Sequence, residues 1–85
     1  MDYISHSLRC AAEYLAEIQA ARRKALIGRL IVKPEGIMIE ITTAAGFASD
    51  KIVPWDGIRS ATSPERYLVA AIDHTIEEAV NPKPI

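Results

Sequence analysis

The stretch Leu30-Ile31-Val32-Lys33-Pro34-Glu35-Gly36-Ile37-Met38-Ile39-Glu40-Ile41 constrains this chain more than any other. Two runs rich in β-branched residues flank a Pro-Glu-Gly turn, which is the pattern of a β-hairpin. Two registers compete for it. A type I turn followed by a left-handed glycine would make a three-residue loop, pairing Lys33 with Ile37. A four-residue loop would pair Val32 with Ile37 and Leu30 with Ile39, and set Arg29 opposite Glu40. The second register gathers the apolar side chains on one face and forms a cross-strand ion pair, so it is preferred. A one-residue slip would send the whole apolar set to the wrong side.

Helical patterns stand on both sides of the hairpin. From Met1 to about Lys24, Ile4, Leu8, Ala11, Leu15 and Ile18 recur at spacings of four and three and form one stripe. Asp2, Ser5 or Ser7 can cap its start, and Arg22-Arg23-Lys24 complements the dipole of its last turn. Gly28 can either follow the helix as a left-handed cap or sit inside a longer strand. The strand reading is favoured, because Leu26, Gly28, Leu30 and Val32 then share a face.

After the hairpin, the small residues Thr42 to Gly46 turn the chain, and Phe47 to Val53 make a weaker third strand. Pro54 ends it, having no N–H for the ladder. Trp55 is expected to close the edge of the core, Asp56-Gly57 to turn, and Ile58 to pack back. Thr62-Ser63-Pro64-Glu65 then marks a helix start: a hydroxyl cap, proline in the first turn and a carboxylate near the positive end of the dipole. Leu68, Ala71, Ile72, Thr75, Ile76 and Ala79 form its buried stripe, Asp73, Glu77 and Glu78 an acidic outer face, and Asn81-Pro82 its stop. The expected fold is a single α+β domain over residues 1–85 in the order α-β-β-β-α, a three-stranded antiparallel sheet with two helices packed on one face.

Size turns this architecture into an expectation about association. A chain of 85 residues buries only roughly 60% of its surface and is marginal alone. Its single cysteine rules out an internal disulfide, while 49% of its residues are hydrophobic. Burying more surface in a two-fold homodimer is the expected remedy. The uncovered sheet face, where Ile31 and Met38 lie beside Arg29 and Glu40, is the expected place for a partner, with Trp55 as a further contact. No stretch resembles a membrane span or a secretory signal, so the expected location is the cytoplasm.

A net charge of −1 argues against a general binder of nucleic acids or membrane surfaces. The distribution is uneven: six basic residues against three acidic ones up to Lys33, then four against eight. Arg22, Arg23, Lys24, Arg29 and Lys33 form the only basic cluster that could meet phosphates. No interleaved aromatic residues or recognition motif accompany it, which disfavours nucleic acid as partner.

Candidates for chemistry are sparse. His6 and Cys10 lie one helical turn apart, with Tyr14 a turn further, and could pair as nucleophile and base or as two metal ligands. A buried cysteine beside a surface histidine explains the same residues and is the favoured reading, since no activating group is identifiable. His74, next to Asp73 and one turn from Glu78, could serve as a pH-responsive group, or simply belong to a solvated charged row. No cofactor motif, metal-ligand spacing or catalytic constellation is present. The chain therefore reads as a non-enzymatic, homodimeric protein-interaction or regulatory module. The alternatives are a nucleic-acid binder using the basic helix end, and an enzyme with a pocket across a dimer interface built from His6, Cys10 or His74.

Overall fold

The computed structural model describes residues 3–21 and 25–81, with side chains from Ser5 onward. Element order is α1 (Tyr3–Ala21), β1 (Leu26–Lys33), β2 (Gly36–Thr43), β3 (Ala48–Pro54), α2 (Trp55–Ser60) and α3 (Pro64–Val80). The strands form one antiparallel sheet in the order β1-β2-β3. This is the expected α+β fold with one element added, since α2 stands where a turn at Asp56-Gly57 was expected. The expected positions Met1, Asp2, Arg22, Arg23, Lys24 and the tail after Asn81 lie outside the described residues, as does the side chain of Ile4.

The hairpin adopts the register that its apolar alternation demands: Val32 faces Ile37, Leu30 faces Ile39, and Arg29 faces Glu40. Pairing continues to Lys33 and Gly36, which leaves Pro34-Glu35 as a two-residue loop, shorter than expected. Gly36 is required there because a Cβ would lie 2.0 Å from the carbonyl oxygen of Val53 on β3. Between β2 and β3 the chain turns through Ala44-Ala45-Gly46. Gly46 takes a φ of 94°, and the Thr43 N–H donates to the Phe47 carbonyl at 2.8 Å. Strand β3 begins at Ala48 and includes Pro54, one residue later at each end than expected.

Alternation sends Leu26, Ile37, Ile39, Ile41 and Val53 to one face, where all are buried. Both long helices cover that face: α3 lies on β2 and β3, and α1 lies on β1 and against α3. From α1, Ala11 and Leu15 enter the core; from α3 come Leu68, Ala71, Ile72, Ile76 and Ala79, and from α2 Ile58. Gly28 lies inside β1, and a Cβ there would stand 2.6 Å from the Leu15 side chain. That close approach is why the strand tolerates a glycine.

The start of α3 follows its local signal. Ser63 is the N-cap, its hydroxyl accepting from the Arg66 N–H at 3.5 Å, with Pro64 in the first turn. All six residues expected on its stripe are buried, Thr75 among them. Thr75 is satisfied in place, its hydroxyl donating to the Ala71 carbonyl at 2.7 Å.

Candidate interaction surface

The reverse face of the sheet carries the residues between the core positions, and among the described residues no helix lies on it. The register sets them in rows across the three strands. Ile31, Met38 and Ile52 form one row, and Arg29, Glu40 and Asp50 form the next. Ile31 and Met38 are half-buried by their neighbours, while Ile52 is 45% exposed and Ile27, at the far end of β1, is 57% exposed. Arg29 Nε lies 3.4 Å from Glu40 Oε1, both side chains reaching solvent. The pair holds its two side chains side by side but contributes little stability at such exposure.

Trp55 lies at the hairpin end of the sheet. It packs partly buried against the core, and its indole Nε1–H donates to the Lys33 carbonyl at 3.0 Å. Its backbone N–H also bonds the Glu35 carbonyl, at 3.3 Å. Trp55 thus ties α2 to the tip of the hairpin. Of the three expected contact residues, Ile31 and Met38 lie side by side on the open face, whereas Trp55 packs against the core at the hairpin end.

The basic cluster cannot be assembled as a whole, because Arg22, Arg23 and Lys24 lie outside the described residues. Of the other two, Arg29 is paired with Glu40, and Lys33 stands at the end of β1.

The residues considered for chemistry are scattered. Cys10 Sγ and His6 Nε2 are 3.7 Å apart on an exposed part of α1. Cys10 is half-buried, not buried as expected, because its position on α1 falls at the margin of the stripe that Ala11 centres. His74 Nε2 lies 2.6 Å from Glu78 Oε1 on the outer side of α3. Among the described residues no group of three His, Cys, Asp or Glu side chains is placed to hold a metal ion. Two of the surface depressions lie along the strands, and both open to solvent. One, of about 420 Å³, lies at the Thr42–Ala48 end of β2 and β3. The other, of about 330 Å³, runs between β3 and α3 past Ile52, Tyr67 and His74.

Two polar ties set how the helices sit on the sheet, and no sequence pattern announced either. The Tyr14 phenol donates to Asp73 Oδ1. That hydrogen bond, then burial and the nearby carboxylate charge, raise the phenol above its ordinary value of 10.0. At the start of α3, Glu65 accepts from the Ser63 hydroxyl at 3.0 Å and from the Ser7 hydroxyl of α1 at 3.5 Å. Its own backbone N–H, then Ser63, hold its carboxyl below the usual range. Ser7 is wholly buried, and with Tyr14 and Asp73 it places α1 and α3 side by side in the same direction.

Among the described residues no helix is long and apolar enough to cross a membrane. The chain matches no protein-family model, no curated protein and no solved structure.

Proposed function

We propose that this domain is a non-enzymatic protein-interaction module that works as a homodimer through the open face of its sheet. The observation that carries this reading is the row Ile31–Met38–Ile52, which runs across three strands with no described helix over it. An apolar strip bordered by charged residues is the usual composition of an interface core and its rim. A two-fold axis through the strip buries it against itself, and Arg29 and Asp50 at the two sides of the charged row can then reach across the axis. The small core supplies the motive, since a domain of this size gains in stability by sharing a second buried layer.

Molar mass across a dilution series tests the reading. The expected result is a dimer that Ile52→Lys converts to a folded monomer, whereas Val80→Lys, at an exposed position on α3, leaves the mass unchanged. A monomer at every concentration, or a dimer indifferent to Ile52→Lys, would overturn it.

A further inference from the structure

The two edges of the sheet are not equivalent. The hairpin register and two flanking bonds define which backbone groups of β1 face outward. The Ala44 N–H donates to the Ala25 carbonyl at 2.9 Å, so Ala25 points toward β2. The Gly28 N–H points the other way and donates to Gln19 Oε1 of α1 at 3.2 Å. Bonding alternates along an antiparallel pair, so Leu30 and Val32 share the orientation of Gly28. Their N–H and C=O groups face away from β2, and no described residue pairs with them.

Side chains make the same stretch receptive. Val32 belongs to the helix side of the sheet yet is 61% exposed, because α1 covers β1 near Gly28 and not at its far end. Leu30 beside it is half-buried. On the opposite side Arg29 and Lys33 project, with Ile31 between them. The other edge is blunted: on β3, Asp50 and Lys51 are exposed and Pro54 lacks an N–H, which are the usual protections of an edge strand.

We propose that the Leu30–Val32 edge of β1 accepts an extended segment of a partner protein as a fourth strand, one that alternates acidic with apolar residues. Unpaired strand groups recognise a strand. Alternation places every second side chain of the incoming segment beside Leu30 and Val32, where apolar groups cover the exposed valine. The intervening side chains fall beside Arg29, Ile31 and Lys33, and carboxylates are favoured at the two outer places, beside Arg29 and Lys33.

A second copy of β1 fits this edge poorly. An antiparallel two-fold at Arg29 sets that arginine against itself, and one at Ile31 sets Arg29 against Lys33. One at Leu30 needs the Gly28 N–H that Gln19 already holds. The inference rests on the domain being a protein-interaction module, and it assigns to the edge a partner distinct from the one proposed for the face.

The test is selection of the whole protein against a displayed library of random extended peptides, followed by amide hydrogen exchange with the best binder. Enriched peptides are expected to alternate Asp or Glu with Val, Ile or Leu. In the free protein the Leu30 and Val32 amides should exchange quickly and those of Ile31 and Lys33 slowly; with peptide bound, all four should be protected. Val32→Pro removes an outward N–H without breaking the β1–β2 ladder and should abolish binding, while Asp50→Pro at the other edge should not. Lys33→Glu, which leaves the backbone alone, should weaken binding roughly tenfold through the lost charge match. No enrichment, enriched peptides without the alternation, protection of Leu30 and Val32 in the free protein, or binding indifferent to both Val32→Pro and Lys33→Glu would overturn the proposal. The homodimer is read separately: Ile52→Lys alters the mass without reaching the β1 edge, so either proposal can fail while the other stands.

Discussion

Strand β2 has two sides with different fates. Ile37, Ile39 and Ile41 are wholly buried under the helices, while Met38 and Glu40, one residue away along the same strand, lie on the open side and remain partly exposed. Backbone, neighbours and register are shared, so the difference comes from what lies above each face. Three isoleucines in line, paired with Leu30 and Val53, make a surface that must be covered for the domain to fold. On the other side Met38, between Ile31 and Ile52 and next to the charged row of Arg29, Glu40 and Asp50, makes a mixed surface that tolerates water. The first face is committed to folding, and the second is left uncovered by the described helices.

The largest effect expected from this contrast is on stability. Ile39→Ala should cost about 3 kcal/mol, because it leaves a cavity beneath α3, whereas Met38→Ala on the reverse side should cost less than about 1 kcal/mol in the monomer. Denaturant unfolding of both variants, at a concentration where the protein is monomeric, measures the difference; equal costs would mean that the open face is also covered.

A smaller effect tests what keeps the helices on their side of the sheet. Tyr14→Phe removes the bond to Asp73 and should lower stability by about 1 kcal/mol, a value discounted for the exposure of the pair. The folded protein favours the protonated phenol. This contribution is therefore whole below the ordinary phenol value of 10.0 and is lost as pH rises through the elevated folded value. Ultraviolet titration should show one late-titrating tyrosine that disappears in Tyr14→Phe. A titration with no late component would break the proposed tie.

The smallest effect belongs to the open face. A double-mutant cycle on Arg29 and Glu40 should give a coupling of no more than about 0.5 kcal/mol, falling with added salt, as for other exposed pairs. A coupling several times larger in the dimer than in the monomer would sharpen the comparison, since it would mean that self-association removes water from this row.

Local patterns carried much of the fold. Alternation in Leu30–Ile41 specified both the hairpin and its register, and the Ser63-Pro64-Glu65 signal with its 3.6-residue stripe specified α3 and its buried face. The loop length was misjudged because alternation fixes which residues face each other, not how far pairing runs into the turn. Helix α2 was missed because its six residues span too few turns to show a period, and they include Gly57. That glycine suits the place because a Cβ would lie 2.6 Å from the Tyr67 hydroxyl, a neighbour that no local pattern could reveal. Of the candidate surface, Ile31 and Met38 were legible from the same alternation. Ile52 was readable only as a member of the weaker third strand, because its face depends on the β2–β3 register.

Determined by sequence alone were the identities of the strands and long helices, and which side chains of each must be buried, since these follow from spacing along one chain. Left to the tertiary structure were the contacts joining distant positions: Ser7 with Glu65, Tyr14 with Asp73, Gln19 with Gly28, and Gly36 against Val53. They leave no periodic trace, because each pairs a single residue with one on another element. Among them, the Gln19–Gly28 bond ties the end of α1 to β1 near Gly28, and Val32, apolar and on the helix side, stands exposed beyond it.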